Sequence, residues 1–176
     1  RDRFGMPDSP LFRFTEKSEL IASIVKTDDG VLPAPNTVVS ELMMELGHFF
    51  YEPEQLSQSR AMLQSLFPSF LSTPQYYGGW GRLALQEAYP YYEVAVVGPD
   101  AAQLSLELQE RYLPNTLCVF SDSPSELPLF EMRFTPEATS VFVCRDHACK
   151  MPVQTAVAAW EQLQEGQEAV GFEALQ

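Results

Sequence analysis

The sequence predicts an α+β protein in two parts. A short β-hairpin and antiparallel helical hairpins occupy residues 1–90, and a small α/β unit with a mostly parallel sheet follows over residues 91–176. Three observations predict this. Apolar residues recur at helical spacing in three successive segments before Pro90. The apolar run Val94-Ala95-Val96-Val97 then ends in Gly98-Pro99-Asp100, as a buried strand entering a helix does. Beyond it, short apolar runs alternate with helical stretches, the pattern of helices laid on a sheet.

In the first part, Leu11–Phe14 and Leu20–Val25 read as short strands joined by a turn at Glu16-Lys17-Ser18. Two close prolines, Pro33 and Pro35, keep the segment from Asp28 to Asn36 out of any ladder. Asn36 or Thr37 caps the first helix, whose apolar face is expected at Val38, Val39, Leu42, Met43, Leu46 and Phe50. A second helix is expected over Glu54–Leu71, with Leu56, Leu63, Leu66, Phe67 and Phe70 inward and a kink or early end at Pro68. A third, Tyr76–Ala88, presents Trp80, Leu83, Ala84 and Ala88. Short loops between them predict antiparallel neighbours.

In the second part, Asp100 is placed to cap a helix, with Gln103 completing a capping box. Leu104, Leu108 and Tyr112 form its inner face. Leu117–Phe120 and Ser140–Cys144 read as further buried strands. Pro152-Val153 leads into a last helix facing inward through Val153, Ala156, Val157, Trp160 and Leu163.

Composition narrows the partners. The 176 residues carry a formal charge of −13, which disfavours nucleic acid and anionic membranes, since both demand clustered Lys and Arg. A hydrophobic content of 45% argues for a folded core, and no run reaches the length of a membrane helix. Three cysteines are too few for a disulfide-stapled secreted scaffold, so a cytoplasmic home is expected. The chain begins at Arg1 without a signal segment, which predicts a processed protein or a piece of a longer one.

Groups capable of redox or metal chemistry cluster in one stretch, Val143-Cys144-Arg145-Asp146-His147-Ala148-Cys149-Lys150. Cys144 and Cys149 are either buried thiols at a strand end or a redox pair. In the redox case Arg145, His147 and Lys150 would supply the cationic field that lowers a thiol pKa. A structural zinc site needs four ligands and only three are local, so neither metal nor cofactor is expected. Glu41, Glu45 and His48 share one helix stripe. Without a second Glu-x-x-His they read as a solvated face rather than a paired-metal site. Tyr76, Tyr77, Trp80, Tyr89, Tyr91 and Tyr92, interleaved with glycines, suit either packing or stacking on a sugar ring. Gly98-Pro99-Asp100 lacks a phosphate fingerprint, and no Gly-x-Ser-x-Gly elbow is present.

Several segments in order resemble a known family. They are Asp29-Gly30-Val31-Leu32-Pro33-Ala34-Pro35-Asn36, the helix after it, Glu93–Gly98, and the stretch from Val143 to Val153 that contains Cys144, Cys149, Pro152 and Val153. The chain resembles the C-terminal part of the thioredoxin-domain proteins related to spermatogenesis-associated protein twenty, a family of unknown function. The resemblance implies a segment of an α/α toroid of the kind found in six-hairpin glycosidases and sugar epimerases. It also implies a non-catalytic role completing that toroid and lining a carbohydrate cavity, with Asn36, Tyr76, Tyr77 and Trp80 as binding candidates. The partners implied are the rest of the parent polypeptide or further copies of the chain. Where the family usually has Pro-Ser-Gly-Asn, this chain has Pro33-Ala34-Pro35-Asn36. The alternative is a thiol redox function centred on Cys144 and Cys149, assisted by His147.

Overall fold

A computed structural model of the chain describes residues 3–16 and 24–165. They fall into two compact units: residues 3–47 with 52–85, and residues 48–51 with 86–165. The fold is mixed α and β.

The first unit opens with β1 (Gly5–Met6) antiparallel to β2 (Ser9–Phe12), a hairpin earlier than the one expected. Lys17 and Ser18 of the expected turn at Glu16-Lys17-Ser18, and most of the expected strand Leu20–Val25, lie outside the described residues. Helices α1 (Pro35–Phe50), α2 (Pro53–Ser72) and α3 (Gly78–Ala88) follow, with a single 3-10 turn at Pro74–Tyr76 before α3. Pro68 does not end α2, and Trp80, Leu83, Ala84 and Ala88 of α3 are buried as their spacing predicts.

The inner face of α1 corrects the expectation. Asn36, Thr37, Ser40, Met44 and Gly47 are buried, whereas Val38, Leu42 and Phe50 are exposed. Small polar residues let α1 and α2 approach closely. Ser59 Oγ donates to Ser40 O at 2.8 Å, and the two hydroxyls lie 3.0 Å apart. A Cβ on Gly47 would meet the Leu56 side chain at 2.6 Å. Paired hydroxyls make this buried polar seam tolerable, because their hydrogen bonds replace those lost to water.

The second unit is a four-stranded sheet in the order β4 (Thr116–Ser121), β3 (Tyr92–Val97), β5 (Ser140–Arg145) and β6 (Ala148–Cys149). Helix α4 (Ala101–Gln109) connects β3 to the parallel β4. The expected mostly parallel sheet is therefore corrected to a mixed one: β5 runs antiparallel to β3, and β6 antiparallel to β5. The reason is the connection. No helix carries the chain from β4 to β5, and antiparallel pairing does not require a helical crossover. Gly98, at φ +136°, makes the turn from β3 toward α4, where a Cβ would meet Ala138 O at 2.5 Å.

The two faces of the sheet bury different sets. Tyr92, Val94, Val96, Val141 and Val143 pack with Leu104 and Leu108 of α4 and Ala159 and Leu163 of α5 (Ala156–Gln164). Each buried Val or Leu among them contributes roughly 1.5–3 kcal/mol. Tyr112 and Val157, expected inward, are exposed instead. Asp100 occupies the cap position of α4 but makes no side-chain cap, and Gln103 donates to Glu107, so the capping box is not formed. Thr155 does cap α5, accepting from Ala158 N. The opposite face, with Ala95, Val97, Leu129 and Phe130, carries the candidate site.

Candidate functional site

Side chains alternate along a strand, so Glu93, Ala95 and Val97 share the second face of β3. Cys144 stands directly opposite Glu93 in the β3–β5 register, and Cys149 stands opposite Cys144 in β5–β6. Three chemically active side chains thus form one row across the sheet.

The two-residue turn Asp146-His147 closes the β5–β6 hairpin, with φ of 50° and 65°. Positive φ at both central residues matches the right-handed twist of the strands it joins. It also brings Cys144 and Cys149 close enough to join as a disulfide, with Cα atoms 3.8 Å apart. Cys144 is 1% exposed, whereas Cys149 lies on the exposed edge strand.

The cation at the sulfurs is Arg133, which was not among the expected residues. Its Nη1 donates to Cys144 Sγ at 3.5 Å and its Nη2 to Cys149 Sγ at 3.4 Å. The guanidinium also lies over the Phe142 ring, 5.0 Å from its centroid. Of the expected cations, Lys150 is engaged elsewhere, donating to Gln162 O and Glu165 Oε2. Arg145 pairs with Asp146 at 3.5 Å. The ring of His147 meets Tyr51 edge-on, 3.9 Å between centroids.

Glu93 is the unexpected acid. It is 1% exposed, and a hydrogen bond of 2.8 Å joins its Oε1 to His48 Nδ1. His48 is therefore not on a solvated helix face: its side chain is 14% exposed, and its ring stacks on Tyr91 at 4.2 Å. Among the described residues, Glu93 Oε2 is buried without a hydrogen-bond partner, and Tyr51 Oη has no well-aligned one. Burial pushes the Tyr51 phenol up from its ordinary value. The Glu93 charge adds to this, and the Arg133 guanidinium partly offsets it.

Backbone strain gathers here too. Tyr51, Met132, Asp146 and His147 all have φ between 50° and 65°, and Asn115 alone of the described left-handed non-glycine residues lies elsewhere. A lone acid opening an otherwise apolar strand was the sequence signal for Glu93. Arg133 carried no local signal.

The binding candidates of the first unit have other surroundings. Asn36 accepts from Phe12 N and donates to the carbonyls of Phe12 and Lys26, each at 2.8 Å. Trp80 is fully buried, its indole N–H donating to Thr27 O. Tyr76 is exposed and Tyr77 half-buried. Asp29 ties this loop together, accepting from Ala34 N, Thr37 Oγ1 and Gly79 N.

Among the described residues no group of three or more His, Cys, Asp or Glu gathers as a metal site, and no helix is long and apolar enough to cross a membrane. Cys118 is a free thiol, its pKa pushed up by burial. Comparison of the chain with protein-family models, with curated proteins and with solved structures finds no match.

Proposed function

We propose that the chain carries out thiol–disulfide exchange at Cys144 and Cys149, with Arg133 holding both sulfurs. One observation carries this reading. Two cysteines of opposite exposure face each other across a two-residue turn, and a single guanidinium donates to both.

The chemistry follows from exposure. A thiolate of a partner dithiol attacks the exposed Cys149 Sγ; a new S–S bond forms, and the Cys144–Cys149 bond breaks. Cys144 leaves as a thiolate beside the guanidinium, whose charge stabilises it. The partner's second thiolate then attacks its own sulfur in the mixed disulfide and releases Cys149. Two electrons pass: the partner becomes a disulfide and the chain holds two thiols. The reverse sequence oxidises the chain. In the cytoplasm, where the cysteine content points, a disulfide of this kind is transient and catalytic rather than structural.

The test is to treat the folded protein with dithiothreitol, and then with oxidised glutathione, and to count alkylated cysteines by mass. Cys144 and Cys149 should switch together and reversibly, with Cys118 unaffected. A disulfide that yields only on unfolding would contradict the reading.

A second reading rests on the first unit. Val31, Leu32, Val38, Leu42 and Leu71 are exposed there, and further helical hairpins or another copy of the chain would cover them. They support the chain being the non-catalytic C-terminal segment of a thioredoxin-domain family protein that completes an α/α toroid. Tyr76 is the accessible aromatic for a sugar in that toroid's cavity. Sedimentation at rising concentration tests this: self-association is expected, and a clean monomer counts against it.

A further inference from the structure

The geometry points to Glu93 and His48 as the proton relay of the disulfide, with Glu93 exchanging a proton with Cys144 Sγ and His48 resupplying Glu93 from solvent. This rests on the exchange chemistry proposed above and adds two residues to it.

Glu93 and Cys144 are directly opposed on one face of an antiparallel pair, a placement that sets Cβ atoms about 4.5–5.5 Å apart. A glutamate side chain is long enough to span a gap of that size. Its Oε1 is occupied by His48 at 2.8 Å, while Oε2 is buried with no hydrogen-bond partner among the described residues. Buried carboxylate oxygens are rarely left this way unless they serve a purpose, because desolvation is not repaid. Buried Cys144 needs such a group, since water does not reach its sulfur freely. His48, 14% exposed and held flat against Tyr91, connects Glu93 to solvent.

The relay requires one exchangeable proton shared by His48 and Glu93 at the outset, so that the pair's net charge is zero. Attack on Cys149 expels Cys144 as a thiolate; Glu93 delivers the proton, which leaves Cys144 as a thiol and the pair negative. His48 then takes a proton from water and restores the pair. On oxidation Glu93 removes the Cys144 proton and His48 releases one to water, which restores the pair. The Cys144 thiolate attacks Cys149 Sγ in the mixed disulfide, the Cys144–Cys149 bond forms, and the partner leaves as a thiolate. Other titratable or charged groups against this face are Tyr51 after α1, Tyr91 before β3, Arg133 between β4 and β5, and His147 in the hairpin turn.

The experiment is the rate of disulfide reduction by dithiothreitol, divided by the reagent's thiolate concentration, from about pH 5 to about pH 9. The wild type should show a break, falling as the pair loses its proton. E93Q keeps the side-chain shape but cannot relay; its profile should be flat and its acid-side rate about tenfold lower or more. H48Q should displace the break, whereas H147Q and Y51F should keep it. A wild-type profile without a break overturns the relay, and so does an unchanged break in folded E93Q. If E93Q does not fold, an unchanged break in H48Q overturns it. Should the wild-type pair fail to open and close reversibly, the exchange reading itself fails, a result distinct from exchange that proceeds without the relay.

Discussion

Cys144 and Glu93 face each other across the central strand pair, so a disulfide sulfur and a buried carboxylate share one side of the sheet. The same face receives Arg133 at the sulfurs and His48 at the carboxylate. Neither charge is near its counterpart in sequence. The site is a product of the mixed sheet: only an antiparallel β5 sets Cys144 against Glu93, and only a two-residue turn sets Cys149 against Cys144.

Removing the guanidinium should slow exchange without breaking the fold. R133Q takes away the charge that stabilises the departing Cys144 thiolate. Reduction by dithiothreitol at neutral pH should slow by about tenfold, a loss of about 1.4 kcal/mol in transition-state stabilisation. Quenched alkylation followed by mass measurement reads the rate. An unchanged rate would mean that Arg133 only packs on Phe142.

Asn36 is expected to behave as a structural pin. Its side chain satisfies two groups of Phe12 and one of Lys26 inside the first unit. N36A removes three part-buried hydrogen bonds at about 1 kcal/mol each and should destabilise the protein by about 3 kcal/mol. Urea denaturation followed by circular dichroism measures this. A loss under about 0.5 kcal/mol would show that water replaces the amide without cost.

Glu41 should make stability depend on pH. Burial raises its pKa above the ordinary 4.5, the Arg82 charge and hydrogen bond oppose the rise, and Glu45 and Asp29 add to it. The folded state therefore binds more protons than the unfolded state between the two values. The stabilisation is full below 4.5 and is lost as pH rises through the raised folded value. Wild type should lose stability relative to E41Q between about pH 4 and about pH 7. Parallel denaturation curves at both pH values would contradict this.

Much of the architecture was legible because periodicity and burial agree there. Trp80, Leu83, Ala84 and Ala88 recur at helical spacing in α3 and all are buried. The run from Val94 to Val97 is apolar because both faces of β3 are covered. The inner face of α1 was not legible. Hydropathy assigns Ser40 and Asn36 to water and Val38 to the core, yet hydrogen bonds to Ser59 and Phe12 bury the first two. Sheet direction was equally hidden, since an apolar run has the same period in parallel and antiparallel strands.

The candidate site divides the same way. Cys144, His147 and Cys149 stood out because they are local in sequence. Arg133 is 11 residues from Cys144, and His48 is 45 from Glu93, so only the fold could join them. Glu93 was the exception that left a trace, as a charge at the head of a strand with no polar neighbour.

The most direct test of the account is a redox titration of the folded chain in glutathione buffers, with Cys144 and Cys149 counted by alkylation and mass at each potential. A single reversible two-electron transition is expected within the range of cellular thiol couples, about −180 to −320 mV, with Cys118 a spectator throughout. A pair that stays joined well below that range until the protein unfolds would make the hairpin a staple and contradict the account. So would a pair that never joins.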